Sequence, residues 1–141
     1  DYWHECNKEI NNLPENITVN YCGAYNHNDV FKLMSENDVF FFPTFSENYG
    51  HVIIEALLSG MPVLISDQTP WNDVEECKCG WAISLANMNE FCDKIEMLAK
   101  LNVEELSQLS SNALKYGIQK SRIEDTHMRY KNMLLQIVDN L

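Results

Sequence analysis

Residues 38–66 read DVFFFPTFSENYGHVIIEALLSGMPVLIS, and this stretch decides the fold. Val39 to Phe42 is an uninterrupted apolar run closed by Pro43, which has no N–H to offer a neighbouring strand. A strand apolar on both faces belongs in the middle of a covered, mostly parallel sheet. The loop Thr44 to Asn48 leads into a helix predicted from about Tyr49 to Ser59, stopped by Gly60 in the C-terminal capping position, and Pro62 opens a second strand over Val63 to Ser66. Strand, loop, helix, glycine turn and strand in that order give an α/β fold with a parallel sheet and right-handed crossovers.

The same pattern extends in both directions. Upstream, Ile17 to Cys22 alternates and ends at Gly23, which predicts a strand, and Asn28 or Asp29 can cap a short helix through about Glu36. Tyr2, Trp3, Cys6, Ile10 and Leu13 recur at helical spacing until Pro14, so the chain opens on an amphipathic helix and is expected to be a section of a longer protein. Downstream, Thr69 and Pro70 form a helix-start pair for a short helix through Glu76, followed by a strand over Trp81 to Leu85. Three helices are then expected, from about Asn89 to Leu101, Val103 to Lys120 and Glu124 to Asn140. The last carries Met128, Met133, Leu134, Ile137 and Val138 on its apolar side.

Length and charge narrow the functional classes. The chain's 141 residues are room for one domain with a single core, and 10 Lys and Arg face 21 Asp and Glu for a formal net charge of −11. Negative charge of this density repels nucleic-acid phosphates and anionic lipid, so no nucleic-acid partner is expected. No run approaches the roughly 18 apolar residues of a membrane span and no signal peptide opens the chain, which reads as soluble and cytoplasmic. Five cysteines, at 6, 22, 77, 79 and 92, read as reduced, three of them among apolar neighbours where a thiol packs as a small hydrophobe. Cys77 and Cys79 lack a second ligand pair at zinc spacing, so no metal is expected.

In a sheet of this kind ligands bind beyond the carboxyl ends of the strands, where loops run into helix amino termini. The helix beginning near Gly50 offers unpaired N–H groups at His51, Val52 and Ile53, the positive end of its dipole, and a glycine that lets an anion approach closely. Taken alone, a glycine before a helix is equally a plain strand-to-helix turn. Glu55 is more telling, because its neighbours Val52, Ile53, Ile54, Ala56, Leu57 and Leu58 are apolar and a buried carboxylate costs several kcal/mol unless it is partnered. A ligand diol and an internal partner, such as a backbone N–H or His51 one turn earlier, both answer that need. Glu47 lies eight positions upstream, in front of the helix start, with Glu55 about 7 Å along the helix. Two carboxylates flanking an anion site suit a ligand that adds hydroxyls to its phosphates, and sugars supply hydroxyls.

Residues 38–66 resemble the donor-binding core of retaining glycosyltransferases of the GT-B fold, the glycosyl transferases group 1 or family four type, which use nucleotide-diphosphate sugars. The pattern is Glu, seven residues, Glu, with Gly three after the first Glu, then Glu-Ala and Gly-x-Pro-Val; Glu47, Gly50, Glu55 with Ala56, and Gly60 to Val63 match it. The likeness runs from the Gly23 turn through Gly80 into the final helices. It implies a Rossmann-like parallel sheet with flanking helices, the later part of a GT-B C-terminal domain, with residues 1–141 as a partial donor nucleotide-sugar-binding domain.

The resemblance also implies roles. Glu47 would contact donor-sugar hydroxyls and is the catalytic candidate; Glu55 would take the ribose hydroxyls. Tyr49, Gly50, His51 and Val52 would face the diphosphate and sugar. Tyr25 and His27 would meet the base, although an exposed loop histidine is otherwise a solvated side chain. Residues 69–71, ThrProTrp, resemble a subgroup marker, with a helix cap as the favoured reading. The implied reaction transfers a hexosyl group, with retention, to an acceptor glycan or lipid-linked sugar in polysaccharide biosynthesis. No cofactor or metal is implied, the nucleotide-diphosphate sugar being the substrate. An Arg, a Lys and an acceptor domain would lie ahead of Asp1, since Lys8 and Lys32 do not sit in the matching motif, so this section alone is expected to be inactive. The intact protein would work in the cytoplasm or at the inner face of the membrane.

Two strands of the family's six would also be missing between Ile17 and Val39. Either the Ile17 strand pairs directly with Val39 or two copies exchange segments as a homodimer. A non-catalytic sugar-nucleotide or phosphate-binding module and a purely structural α/β interaction domain are the competing readings.

Overall fold

The computed structural model describes the backbone of residues 1–138 and the side chains of residues 1–121. Three parallel strands, β1 (Phe40–Phe42), β2 (Val63–Ser66) and β3 (Gly80–Ile83), lie in the order β1-β2-β3, with Phe41 opposite Leu64 and Leu64 opposite Trp81. The helices are α1 (Tyr2–Asn11), α2 (Val30–Ser35) after a 3-10 turn at His27–Asp29, α3 (His51–Leu58), α4 (Met88–Leu98) and α5 (Val103–Val138). This is the expected α/β fold, a Rossmann-like parallel sheet flanked by helices.

Alternation along β2 divides the core. Val63 and Ile65 pack with Ile53, Ile54, Ala56 and Leu57 of α3, Met34 of α2, and Ala113 and Tyr116 of α5. Leu64 packs instead with Ile83 and with Phe91 of α4 on the opposite face. All four residues of β2 are buried, which makes it the central strand. Each such aliphatic side chain removed from water contributes about 1.5–3 kcal/mol, so the covered β2 and the apolar flank of α3 hold the domain.

Several expectations are corrected. Val39 to Phe42 was the stretch expected mid-sheet, but β1 is an edge strand with Phe41 half exposed; the phenylalanine run suits a two-sided environment that, among the described residues, only β2 receives. Residues 17–22 form no strand. They lie exposed, and Tyr21 meets Trp3 of α1 with ring centroids 4.9 Å apart. An alternating segment becomes a strand only when a neighbour takes its N–H and C=O groups, and the segment does not pair with β1. α1 forms as expected, capped by the Asp1 carboxylate, but buries none of its residues. Residues 72–78 make turns rather than a helix, because Val74 C=O accepts from Cys79 N–H and the chain enters β3 at once.

The two final helices expected to break near residue 121 are one, α5: Ser121, Arg122 and Ile123 contain neither Gly nor Pro to end it. The expected end at Asn140, and the apolar side assigned to Met128, Met133, Leu134, Ile137 and Val138, lie outside the described backbone and side chains. Of the cysteines only Cys79 is buried; Cys6 is intermediate and Cys22, Cys77 and Cys92 are exposed. Among the described residues no helix is long and apolar enough to cross a membrane.

Candidate functional site

The loop between β1 and α3 is tied to the loop after β2, at the carboxyl edge of the sheet. Ser66 Oγ, at the end of β2, donates to Thr44 C=O, and Glu47 N–H donates to Gln68 C=O at 3.1 Å. Thr44 Oγ1 donates to Ser46 C=O, tightening the loop further. Gly50 then caps α3 in the left-handed region, at φ 82° and ψ 57°, with no side chain to satisfy the helix start. A Cβ there would stand 2.8 Å from Ile53 Cδ1, 3.1 Å from Trp71 Nε1 and 3.2 Å from Glu47 Cγ. Space as well as φ therefore demands glycine.

Of the three N–H groups expected to be open, Ile53 N–H is taken: it donates to Gly50 C=O at 2.8 Å, a tight first turn. His51 and Val52 N–H, ahead of it, have no hydrogen-bond partner among the described residues. His51 is exposed with its ring 4.8 Å from that of Tyr49.

In sequence the two carboxylates flank this turn. Glu47 is half-buried, its Oε1 accepting the N–H of Asn48 at 3.0 Å, and its Cγ lies against the Gly50 backbone. Glu55 is one turn further along α3. Its side chain keeps 21% of its exposure, so it is less buried than the apolar sequence around it suggested. His51 was the internal partner considered for Glu55, but the structure supplies His27, whose Nδ1 lies 3.9 Å from Glu55 Oε1 while 82% of the imidazole stays exposed. A pair this open contributes little to stability, and the carboxylate remains available from solvent. Tyr25 is half exposed, and the neighbouring Cys22 holds its pKa above the ordinary value.

A set of residues that sequence reasoning missed lies behind the turn. Trp71, 4% exposed, donates its Nε1–H to Tyr49 C=O and sets its ring edge-on to Tyr49 at 5.7 Å and to Tyr116 at 6.1 Å. Thr69 Oγ1 accepts Trp71 N–H at 3.3 Å, so the cap favoured for ThrProTrp exists, but it caps a turn that fixes the indole. Tyr116 of α5 donates its hydroxyl to Asp73 Oδ1, and Lys120 Nζ donates to Oδ2 at 2.9 Å. The only sequence sign was ThrProTrp itself; Trp71 and Tyr49 are 22 positions apart, and no periodicity links them.

Desolvation pushes Asp73 up, but the hydrogen bonds from Tyr116 and Lys120 and the lysine charge outweigh it, and its pKa falls below the ordinary 3.8. A depressed carboxylate contributes stability in full above its ordinary value and loses it as pH falls through the folded value. Asp73→Asn is therefore expected to lower the urea midpoint at neutral pH, with the gap from wild type closing as pH drops below 3.8. A gap constant across that range would mean that Tyr116 and Lys120 do not hold the Asp73 carboxylate in the folded protein. Burial first, then the Asp73 bond, pushes Tyr116 up, and burial carries the Cys79 thiol up to about 12. Cys79 stays a neutral donor to Val74 C=O.

A parallel sheet with helices on both faces, and a glycine-started helix opening at its carboxyl edge, define a Rossmann-like α/β domain. The family model described as "Glycosyl transferases group 1" matches residues 3–116, and the chain belongs to that family of transferases. No curated protein matches the chain.

Proposed function

We propose that the chain is the donor-binding part of a retaining glycosyltransferase, and that the turn at Gly50 receives the diphosphate of a nucleotide-diphosphate sugar. The observation that supports this most is the unbonded pair of His51 and Val52 N–H groups at a glycine-started helix, with Glu47 Cγ against Gly50 and Glu55 one turn along the same helix. In this reading Glu55 takes the ribose hydroxyls, with His27 and Tyr25 toward the base, and Glu47 takes hydroxyls of the sugar next to the reacting carbon. Tyr49, Gly50, His51 and Val52 line the path between them. Charge grows on the leaving phosphate during transfer, and amide donors set in place before reaction stabilise that charge. No metal or cofactor takes part.

The acceptor, a glycan or lipid-linked sugar, would be held by a domain ahead of this one, and an Arg and a Lys from an earlier segment of the donor domain would supply cationic help at the phosphates. The 141-residue section alone would bind donor without transferring sugar.

Calorimetric titration with uridine, guanosine and adenosine diphosphates tests this. One of them is expected to bind. A hydrogen bond to a charged group is worth about 1.5–3 kcal/mol, so Glu55→Ala is expected to weaken that binding by roughly 10- to 100-fold. Absence of binding by the chain and by the longer enzyme that carries it would overturn the reading, as would a Glu55→Ala variant with wild-type affinity.

A further inference from the structure

Gly50 adopts a left-handed conformation at a helix start that has no side-chain cap. What holds the turn is not its own sequence. The peptide joining Tyr49 to Gly50 has its carbonyl oxygen fixed by the indole N–H of Trp71, and the same indole nitrogen fills the space beside Gly50 Cα. A buried indole must find an acceptor for its single donor. Trp71 finds it in the Tyr49 carbonyl, one peptide ahead of the first open amide, so the plane of that peptide, and through Gly50 the direction in which His51 and Val52 N–H point, depends on the indole.

The indole is in turn immobilised. Thr69 Oγ1 accepts its backbone N–H, Tyr116 packs on its edge, and Tyr116 is anchored to Asp73, which also binds Lys120. These contacts form a rigid line from α5 to the start of α3.

We infer that Trp71 is a positioning residue for phosphate recognition: it never meets the ligand, but it sets the Tyr49–Gly50 peptide so that the His51 and Val52 amides face the diphosphate. This rests on the donor-site reading above. Preorganised donors matter because a turn that must be ordered on binding loses part of the interaction energy to that ordering.

Trp71→Phe keeps an aromatic ring while removing the donor together with the pyrrole half of the buried indole; Tyr116→Phe loosens the anchor from behind and serves if the first variant unfolds. Two readouts are taken on the 141-residue chain. Without ligand, nitrogen-15 amide spectra are recorded at Gly50, His51 and Val52, and hydrogen exchange at Ile53. With ligand, the affinity for the diphosphate that binds best is compared with that for its parent nucleoside. Both variants are expected to shift the three amide resonances and to speed exchange at Ile53, whose N–H is bonded inside the turn. Trp71→Phe is expected to weaken the diphosphate about tenfold, the equivalent of one hydrogen bond to a charged group, and to leave nucleoside affinity unchanged.

Unaltered amides in Trp71→Phe would overturn the inference whatever the ligand does. Altered amides with unchanged diphosphate affinity, or equal losses for nucleoside and diphosphate, would also overturn it, leaving Trp71 a packing residue. Wild-type protein that binds nucleoside but gains nothing from the diphosphate would instead defeat the donor-site reading, and the inference with it.

Discussion

Gly80→Ala is expected to destabilise the protein by more than about 3 kcal/mol, the upper end of what overpacking a core costs. Gly80 opens β3 directly opposite Val63 of β2. A methyl group there would fall 2.1 Å from Val63 C=O oxygen and 3.0 Å from the carbonyl carbon. These are backbone atoms of the central strand, so no rotamer change relieves the contact and the two strands must part. Domains of this size have only about 5–15 kcal/mol of stability in all, and the Val63 N–H bond to Cys79 C=O would be drawn out along with the ladder. Urea unfolding followed by tryptophan fluorescence checks it, since Trp71 and Trp81 lie on either side of the β2–β3 pair's reach. A midpoint close to wild type would mean that β3 does not pair as described.

The second large effect is expected at Gly50, where stability and ligand recognition meet. Alanine at φ 82° costs about 1 kcal/mol from the left-handed backbone alone. The added methyl also presses on Ile53 Cδ1, Trp71 Nε1 and Glu47 Cγ. The Ile53 and Glu47 side chains can yield; the buried indole cannot without releasing Tyr49 C=O. The variant should fold with a lower melting temperature and lose most of its affinity for nucleoside diphosphates, at least tenfold, because the turn that aims the amides is forced open. Calorimetry below the variant's melting transition separates the two effects. Full diphosphate affinity in a folded Gly50→Ala would place the phosphates elsewhere.

The stretch from Phe40 to Ser66 was legible in advance because each of its elements is decided locally. Pro43 and Pro62 punctuate the strands, Gly60 ends the helix, and Val63 to Ile65 can only be buried. The strand expected over residues 17–22 was not decided locally: its alternation is genuine, but a strand exists only where a partner accepts its backbone, and none of the described residues does so. The partner of Glu55 could not be seen either, because His27 is 28 positions away and reaches the acid only through the packing of α2 against α3.

By itself, then, the order of residues determined an α/β parallel fold and a glycine-started helix flanked by Glu47 and Glu55, since hydrophobic period, proline and glycine act on their immediate neighbours. Only the tertiary structure decided that β2 and not β1 is central, that Ile53 N–H is spent inside the turn, and that Trp71, Tyr116, Asp73 and Lys120 stand behind it. Those facts depend on which side chains meet across 22 to 47 positions of chain. Contacts of that kind follow from the filling of one shared core, not from the sequence on either side of each residue.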